Sequence, residues 1–454
     1  MKEQVILENI KNKLEIPSLN EMQQHVLSHA TQKKDFILYS PTGTGKTLAF
    51  AIPLLKDLKN HATERLQAVV IAPSRELVLQ IHEIIRVIAT DCKVTCVYGG
   101  HNVQDEVLSL AVTPTILIAT PGRLLDHVKR EHINITNARQ LIIDEFDKCL
   151  EMGFEDEMKK LCKRMPNLSR RALTSATVLD EIPPYMQFQD YENFNFLQDN
   201  EQLKQRIKVL KVISSCKDKL DTLKQLLLTL PEGKTIVFAN YRDAVDRIFQ
   251  DLKKHNISCG IYHGALEQID REKAIEMFNN DSFQVLVSTD LGARGLDIAQ
   301  VQNIVHYHLP TSKEAYIHRN GRTARVDKSG QVYVILHAQE TAPEYMDFHG
   351  NYDPSSHPAR EKAESRMSTI YLSGGKKEKI SKGDIVGFIV NHGGIEAQEI
   401  GLINVHDHYS LAAVPATKAH DVLTKISQQK IKGQKLKISI AAPQARMSKN
   451  KALL

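Results

Sequence analysis

Short apolar runs of strand length alternate with longer amphipathic stretches along the first part of this chain. The runs include 36–39, 68–72, 116–119 and 141–143, and the stretch 76–88 has helical spacing. Continuous Val, Ile and Leu are typical of strands buried on both faces of a parallel sheet, in which crossover helices connect consecutive strands. The pattern therefore restricts residues 33 to about 190 to an α/β domain with a parallel sheet.

The alternation begins again further along the chain. Apolar runs at 235–239, 285–288 and 304–307 predict a second α/β domain that continues to about residue 337. The charged stretch 199–208 predicts a linker between the two domains. Residues 341–376 combine Pro, Gly, Ser and charges with little periodicity, which indicates a final helix or loop and a connection.

The last part of the chain predicts a small α+β module. Its predicted elements are a strand at 384–390, a short helix at 395–400, a strand at 411–414, a helix at 418–428 and a strand at 435–440. The predicted domains accordingly span residues 1–198, 209–345 and 379–442.

Charge is concentrated at this end of the chain. Residues 376–454 contain 12 lysines and one arginine against six acidic residues, a net charge of +7, whereas the whole chain carries +5. A basic terminal module on a near-neutral body is typical of nucleic-acid binding, because neutralising phosphates releases counterions. Charge alone leaves a solvated basic face as an equal alternative.

Composition and cysteine spacing exclude other classes. Apolar residues make up 42% and charged residues 25%, which is too apolar for a disordered chain. The sequence contains no apolar run near the roughly 20 residues of a membrane helix and no secretory signal at its start. Six scattered cysteines without C-x-x-C spacing predict neither a disulfide framework nor a zinc site. These features predict a cytoplasmic protein.

The segment Ser40-Pro41-Thr42-Gly43-Thr44-Gly45-Lys46-Thr47 joins the predicted strand 35–39 to an amphipathic helix that begins near Lys46. This context favours a phosphate-binding loop, in which backbone N–H groups and a helix N-terminus surround phosphate oxygens. Lys46 is then expected to contact the β and γ phosphates and Thr47 to ligate Mg²⁺. Ser40 replaces the first glycine of the general pattern.

An acidic segment follows the apolar run 141–143. Asp144 is expected to hold Mg²⁺ through water, and Glu145 to orient and deprotonate the attacking water. The carboxyl ends of parallel strands are where α/β domains bind ligands. By itself, Asp144-Glu145-Phe146-Asp147 would be a solvated helix start, but together with the loop at Lys46 it predicts a nucleotide site.

Together with further segments in a fixed order, these motifs resemble the DEAD-box family of RNA helicases. The additional segments are P-S-R-E-L at 73–77, G-G at 99–100, T-P-G-R at 120–123, S-A-T at 175–177, Q-x-x-R at 268–271, T-D to A-R-G-L-D at 289–297 and H-R-N-G-R-T-A-R at 318–325. The resemblance implies two tandem RecA-like parallel-sheet domains, with ATP bound between them and RNA lying across both.

The resemblance also implies roles for individual residues. The implied ATP contacts are Gln23, Thr42, Gly43, Thr44, Gly45, Lys46, Thr47, Gly295 and Asp297. Arg322 and Arg325 are implied arginine fingers, which stabilise charge in the transition state and complete the catalytic set with Lys46 and Glu145. Asp147, Ser175, Thr177 and His318 would couple hydrolysis to domain closure. The implied RNA contacts are Pro73, Arg75, Gly100, Thr120, Gly122, Arg123, Arg271 and Thr289, which suit sugar and phosphate rather than base edges.

Two positions depart from the family pattern. The upstream aromatic residue that would stack on the adenine falls at Ile6, which weakens the inference that ATP is preferred over other nucleoside triphosphates. Phe146 stands where the family name expects alanine, and a bulkier side chain beside Glu145 can alter cleft packing or rate.

The terminal module resembles the C-terminal RNA-binding domain of DbpA-type helicases, an RRM-like α+β fold. The matching segments are K-G-D-I-V-G at 382–387, I-G-L-I-N-V at 400–405 and K-I-K-G-Q-K at 430–435. Only Phe388 and Tyr409 are available for base stacking, so shape and phosphate recognition are expected. The expected phosphate contacts are Lys430, Lys432, Lys435 and Lys437 on the final strand, with a solvated edge strand as the alternative.

These features predict an RNA-dependent ATPase that uses ATP and Mg²⁺ and locally unwinds or remodels structured RNA. By resemblance the RNA is ribosomal and the setting is ribosome assembly. Two alternatives stay open at this point. One is a low-turnover, nucleotide-gated RNA clamp, which Phe146 makes conceivable, and the other is a DNA helicase. The sequence predicts no membrane association and identifies no protein partner.

Overall fold

The computed structural model describes residues 2–30, 35–41, 43–58, 65–100, 102–197, 206–290, 298, 301–323, 329–359 and 365–443. The described residues divide into two compact units, of which the first ends at residue 197 and the second begins at residue 206.

In the described part of the first unit, seven parallel strands form one sheet with the order β3-β4-β2-β5-β6-β1-β7. The strands are β1 Asp35–Tyr39, β2 Ala68–Ile71, β3 Val94–Val97, β4 Ile116–Ala119, β5 Gln140–Ile143, β6 Arg170–Ser175 and β7 Tyr191–Asn195. The helices are α1 Glu3–Lys13, α2 Glu21–His29, α3 Lys46–Lys56, α4 Arg75–Ile88, α5 Val103–Leu110, α6 Pro121–Lys129, α7 Phe146–Glu151 and α8 Glu155–Lys163.

Alternate residues of these strands enter two different hydrophobic cores. Phe36 and Leu38 of β1 belong to one core, and Ile37 and Tyr39 belong to the other. Successive side chains of a strand point to opposite faces, so a strand that is covered on both faces must be apolar throughout. This arrangement confirms the parallel sheet that the apolar runs predict.

The second unit contains a parallel sheet with the same strand order. Within its described residues the order is β10-β11-β9-β12-β13-β8-β14, which repeats the first sheet strand for strand. The strands are β8 Ile207–Ser214, β9 Thr235–Phe238, β10 Cys259–Tyr262, β11 Val285–Ser288, β12 Asn303–His306, β13 Gly330–His337 and β14 Gly350–Asn351. The helices are α9 Leu220–Thr229, α10 Arg242–Lys254, α11 Gln268–Asn279 and α12 Lys313–Asn320.

The predicted linker 199–208 is shorter than expected. Strand β8 begins at Ile207, so Lys208 already belongs to the second sheet, where it lies opposite Gln331 of β13. Residues 199–205 lie outside the described residues. Lys208, which is exposed, and Lys211, which is half-buried, interrupt the apolar residues of β8, so its sequence lacks a continuous apolar run.

A small antiparallel sheet follows, with the order β16-β17-β15-β18 in the described residues. Its elements are β15 Met367–Leu372, α13 Lys382–Gly393, β16 Ile403–Val405, β17 Ser410–Pro415, α14 Ala419–Ile426 and β18 Ile438–Ile440. The sheet and two helices confirm the predicted α+β module, and β17 and α14 lie where the sequence predicts them. Strand β15 is central in the sheet, so this sheet begins earlier in the chain than the predicted boundary at 379.

The predicted strand at 384–390 is wrong, because these residues lie in α13. Ser381 accepts a hydrogen bond from the backbone N–H of Asp384, whose carboxylate accepts one from the N–H of Ser381. This capping box starts the helix, and Ile385, Phe388 and Ile389 are then buried at helical spacing. The predicted helix at 395–400 is a single 3₁₀ turn at Ala397–Glu399.

One face of the small sheet packs on its own helices and the other packs on the second parallel-sheet domain. Ile370 and Ala412 belong to the core of the small domain. Thr369 and Leu411, on the opposite face, are equally buried, and Thr369 Oγ1 accepts a 2.8 Å hydrogen bond from Nδ2 of Asn280, at the end of α11. The sheet face that an RRM uses for stacking bases is therefore covered within this chain.

Among the described residues, no helix is both long enough and apolar enough to cross a membrane.

Candidate active site

The segment 40–47 connects the carboxyl end of β1 to α3. Gly43 and Gly45 have φ angles of 81° and 86°, in the left-handed region that favours glycine. A Cβ atom on Gly45 would lie 2.5 Å from Nε2 of Gln23. Ser40 is not among the residues with positive φ, so the conformation at this position does not require the glycine of the general pattern.

Lys46 is folded back into this loop. Its Nζ donates hydrogen bonds to the carbonyl oxygens of Ser40 and Pro41, at 2.7 and 2.9 Å, and the residue is buried. Thr44 Oγ1 donates to the same Pro41 carbonyl at 2.9 Å. The loop thus holds an ammonium group against the backbone of Ser40 and Pro41, and a lysine within such a loop is the group that contacts the phosphates of a bound triphosphate.

Gln23, the predicted adenine contact, packs against the same loop. Its Nε2 donates to the carbonyl oxygen of Gly45 at 3.1 Å, and its Oε1 accepts from the backbone N–H of Asn20 at 3.0 Å. Asn20 in turn donates to the carbonyl of Thr44 at 2.9 Å. Ile6 is fully buried in the core beneath α1, so the position of the missing aromatic residue does not present a surface for stacking.

The acidic segment begins at the carboxyl end of β5. Asp144 is buried, and its Oδ1 accepts hydrogen bonds from the backbone N–H of Glu145 and from the hydroxyl of Thr174. Burial raises the pKa of the Asp144 carboxyl, although the Thr174 hydrogen bond and the charge of Lys46 act in the opposite direction. A cation close to Asp144 would favour its charged form.

Glu145 adopts the left-handed conformation, with φ 50° and ψ 53°. This conformation costs a non-glycine residue roughly 1–3 kcal/mol and is concentrated at functional sites. The next residue, Phe146, is fully buried in the hydrophobic core. The backbone therefore turns sharply between a carboxylate at the sheet edge and an aromatic anchor.

The oxygen donors of this site fit Mg²⁺. This ion is usually bound through one or two carboxylates, waters and substrate phosphates rather than by a cage of protein ligands. Asp144 supplies the buried carboxylate, and Thr47 supplies a half-buried hydroxyl in the first turn of α3. When bound, Mg²⁺ would neutralise charge on the phosphates.

Two of the predicted coupling segments are in contact. Thr177 Oγ1 donates to Oδ2 of Asp147 at 3.1 Å. Ser175, at the end of β6, donates from its hydroxyl to the carbonyl of Thr177 at 2.5 Å, and its own carbonyl accepts a 3.0 Å hydrogen bond from the N–H of Ser40. Strand β6 lies between β1 and β5 in the sheet, so the S-A-T segment bridges the phosphate loop and the acidic segment.

The predicted RNA contacts of the first unit follow β2, β3 and β4, at the same carboxyl edge of the sheet as the nucleotide loop. Pro73 is buried, whereas Gly100 and Gly122 are exposed. Gly100 has a φ of 83°, and a Cβ atom there would lie 3.5 Å from Nη1 of Arg75. Thr120 precedes α6, and its N–H donates to the carbonyl of Val97 at 3.2 Å.

Three residues that the sequence did not single out hold these contacts together. Arg75 stacks its guanidinium 4.6 Å above the ring centroid of Tyr98. Arg123 Nε donates to the carbonyl of Tyr98 at 3.2 Å and lies 2.8 Å from Oε2 of Glu106. His127 Nε2 lies 2.8 Å from the same oxygen. These partners come from separate strands and helices, so sequence spacing gives no signal for them.

In the second unit, a buried network organises the predicted segments. Arg319 forms two hydrogen bonds with the carboxylate of Asp290 and contacts His306 and Asn240. Burial and the charge of Arg319 lower the pKa of His306 to about 3. Sequence reasoning did not select Arg319, although it lies within the H-R-N-G-R run.

The remaining predicted residues of the second unit are placed as follows. His318 and Arg322 are buried around the end of α12, and Thr289 is buried after β11. Arg271 lies in the first turn of α11 and is half-buried. Four predicted residues lie outside the described residues, namely Thr42, Gly295, Asp297 and Arg325.

The lysines of the terminal module do not lie on the final strand, which corrects the prediction. Lys432 is in a tight turn between Ile431 and Gln434, and Lys430, Lys435 and Lys437 flank this turn before β18 begins at Ile438. All four lysines are exposed. Lys432 and Gly433 both have positive φ, the geometry of a two-residue turn that closes the bridge between Ile431 and Gln434.

Within the described residues, Lys432 differs from the other three lysines because it has a carboxylate partner. Its Nζ lies 2.7 Å from Oδ2 of Asp384 and donates to the carbonyl of Lys379 at 2.9 Å. The hydrogen bonds from Lys432 and Ser381 lower the pKa of Asp384 to about 2. Lys432 thus connects the lysine turn to the start of α13.

Known protein families match all three parts of the chain. The DEAD/DEAH box helicase model matches residues 20–182, the helicase conserved C-terminal domain model matches 218–327, and the DbpA RNA binding domain model matches 369–440. The chain is 30% identical over 438 residues to the ATP-dependent RNA helicase DbpA of Escherichia coli, which covers 94% of this chain and 96% of that protein. This chain belongs to the DEAD-box family of RNA helicases.

Other RNA helicases resemble this chain in sequence or in structure. The DbpA helicase of Bacillus subtilis is 28% identical over 459 residues, covering 93% of this chain and 94% of that one. The Saccharomyces cerevisiae protein Dbp5 bound to RNA and ADP BeF3 superposes with a TM-score of 0.65 at 27% identity, over 74% of this chain and 88% of that one. The DEAD-box helicase Mss116 bound to ssRNA and UDP-BeF gives a TM-score of 0.64 at 27% identity, over 74% and 73%.

These similarities confirm the two RecA-like domains and the DbpA-type RNA-binding domain that the sequence predicts. The protein is an ATP-hydrolysing RNA helicase, with ATP as its nucleotide and RNA as its partner.

Proposed function

We propose that this helicase remodels structured ribosomal RNA during ribosome assembly and that its C-terminal domain holds the target. The observation that carries the proposal is the DbpA-type domain at residues 369–440, joined to a helicase body and carrying exposed lysines. The resemblance to DbpA-type helicases supplies the ribosomal target. Once the ATPase has remodelled an RNA element, hydrolysis would allow it to release that element.

The proposed chemistry uses residues of both units. Glu145 accepts a proton from the attacking water at its carboxylate, and Lys46 contacts the transferred phosphoryl group. Asp144 and Thr47 would hold Mg²⁺, which would neutralise charge on the phosphates. Arg322 and Arg325 stabilise charge in the transition state, which is worth roughly 10³ to 10⁵ in rate. The proposed ATP contacts are Gln23, Thr42, Gly43, Thr44, Gly45, Gly295 and Asp297.

We propose that the C-terminal domain recognises RNA by shape and phosphate rather than by stacked bases. Phe388 lies in the domain's own core. Tyr409 stacks on Tyr371 and donates a 2.5 Å hydrogen bond to Glu272 of α11. Both candidate aromatics are therefore engaged inside the protein, whereas Lys430, Lys435 and Lys437 are exposed. Exposed lysines on a turn suit phosphate contacts, and Lys432 would contribute together with Asp384.

A cytoplasmic location is part of the proposal. All six cysteines are free thiols, which suits a reducing compartment.

Phosphate release with and without RNA tests the activity. We expect stimulation by single-stranded RNA and little by DNA of the same sequence, because sugar contacts distinguish the 2′-hydroxyl. Release no higher than that of the Glu145→Gln variant would favour the low-turnover clamp, and equal stimulation by DNA would favour a DNA helicase. Crosslinking in cells, followed by sequencing of the attached RNA, tests the ribosomal target.

A further inference from the structure

Helix α5 of the first unit contains a buried carboxylate. The side chain of Glu106 is 2% exposed, although α5 is a surface helix whose Leu108 is 74% exposed. A carboxylate is almost never fully buried unless it is paired, because removing its charge from water is costly. The position of Glu106 therefore depends on the groups that face it.

Those groups are all hydrogen-bond donors. Oε1 accepts from the backbone N–H of Tyr98 at 2.9 Å. Oε2 lies 2.8 Å from Nε of Arg123 and 2.8 Å from Nε2 of His127. His127 is itself fully buried, and its Nδ1 lies 3.0 Å from Nδ1 of His132. One carboxylate thus connects the segment after β3 to helix α6, which follows β4.

Tyr98 extends the same connection to a third segment. Its carbonyl accepts from Nε of Arg123 at 3.2 Å, and its ring lies beneath the guanidinium of Arg75. Tyr98 is followed by the G-G segment, whose Gly100 approaches Arg75. Each of the three segments contains a proposed RNA contact, and Glu106 and Tyr98 lie between them.

We propose that Glu106 is a positioning residue for RNA binding. Its carboxylate holds the Arg123 side chain and the Tyr98–Gly100 backbone in one fixed arrangement, so these contacts are ordered before RNA arrives. Ordering side chains in advance lowers the entropic cost of binding. The inference rests on the proposed RNA contacts of Arg123 and Gly100, which it deepens.

The Glu106→Gln variant tests this role with little change in shape. An amide has one acceptor oxygen, so it cannot accept from all three donors and must place its NH₂ group against at least one of them. We expect the KM for single-stranded oligo(U) in RNA-stimulated ATP hydrolysis to rise about tenfold, with kcat at saturating RNA within about twofold. Glu106→Ala should raise this KM further.

Two other variants make the result specific. Glu83→Gln changes an exposed carboxylate of α4 that pairs with Arg86, and should leave the KM for RNA unchanged. As a single substitution, Arg123→Ala should raise the KM for RNA. In the Arg123→Ala background, Glu106→Gln should add less than about twofold, because the two residues act through one contact.

Three results would overturn the inference. If Glu106→Gln leaves the KM for RNA unchanged while Arg123→Ala raises it, Glu106 does not position Arg123, and the RNA contact still stands. If Arg123→Ala has no effect, the proposed contact itself fails. If Glu106→Gln lowers kcat and raises the KM for ATP as much as that for RNA, its role is structural. Should Glu106→Ala fail to fold, Glu106→Gln still decides the question.

Discussion

Arg319 and Asp290 form a bidentate ion pair inside the second parallel-sheet domain. Nε of Arg319 donates to Oδ1 of Asp290 at 2.5 Å and Nη2 donates to Oδ2 at 2.7 Å. Nη1 of Arg319 donates a further hydrogen bond to the carbonyl of His308 at 2.8 Å. The pair ties the segment after β11 to α12, so the T-D and H-R-N-G-R motifs are held as one piece.

Asp290→Asn should therefore destabilise the second unit strongly. Removing one partner leaves the buried guanidinium uncompensated, which typically costs about 3–5 kcal/mol. Native-state hydrogen exchange of the β11 and β12 amides would measure the change. The matched control is Asp218→Asn, which weakens the exposed pair with Arg247 and should cost less than about 1 kcal/mol. Equal costs for both variants would contradict this interpretation.

Phe146→Ala tests whether the phenylalanine that replaces the alanine of the family motif affects stability or ATP turnover. The side chain is fully buried in the core, so its removal should cost about 3–5 kcal/mol by leaving a cavity. Because Asp144, Glu145 and Asp147 are retained, we expect ATP turnover per folded molecule to stay within about threefold. Leu161→Ala opens a cavity in the same core without touching the acidic segment. A loss of turnover in Phe146→Ala but not in Leu161→Ala would show that the ring shapes the nucleotide cleft.

The contact between the C-terminal domain and α11 should weaken as pH rises. His406 Nε2 lies 2.6 Å from Oε1 of Glu276. Burial alone disfavours its charged form, but the Glu276 hydrogen bond and the charges of Glu276 and Glu272 raise the pKa of His406 above its ordinary value, while Lys376 opposes them. Its stabilising contribution is thus fully present below the unfolded pKa of about 6.5 and is lost as pH rises through the higher folded value.

Hydrogen exchange of the Met367 amide would report this loss, because it bonds to the carbonyl of Asp281 across the contact. After correction for intrinsic exchange, the opening equilibrium should increase from pH 6 to pH 9. His406→Gln should remove most of this dependence, whereas His408→Gln, on an exposed residue beside Glu378, should retain it. A pH dependence that survives His406→Gln would assign it to other groups.

The terminal lysines should differ in their effect on salt dependence. Replacing Lys430, Lys435 or Lys437 with Gln should each lower the slope of log affinity for structured RNA against log salt by about 1. Lys432→Gln should change the slope less and destabilise the start of α13, because it also removes the partner of Asp384. Lys425, paired with Asp421 on α14, supplies a control in Lys425→Gln. Slopes that do not change would support the solvated-surface alternative.

The parallel-sheet architecture was predictable because strands buried on both faces must be continuously apolar. The nucleotide site was predictable for a related reason, since its loop and carboxylates directly follow such strands. Helix α13 was mistaken for a strand because Ile385, Val386, Phe388, Ile389 and Val390 form a short apolar run. The Ser381–Asp384 capping box was the available signal for a helix.

Contacts between distant segments could not be predicted in this way. Glu106 and Arg123 carry no spacing that marks them as partners, and their 2.8 Å contact exists because β3 and β4 are neighbours in the sheet. The same holds for Tyr409 and Glu272, which meet across two domains. Strand order brings the first pair together, and packing of the small sheet on α11 brings the second pair together.

The covered face of the small sheet also limits how freely this RNA-binding domain can be exchanged between helicases. A graft that begins at residue 379 would leave behind the central strand Met367–Leu372. A complete graft would keep the contacts of Tyr409 and His406 only on a host helix with glutamates at the positions of Glu272 and Glu276. A functional chimaera should therefore also carry the residues of α11 that face the domain. The RNA-binding domain and the helicase domain that it packs on form one structural unit for protein engineering.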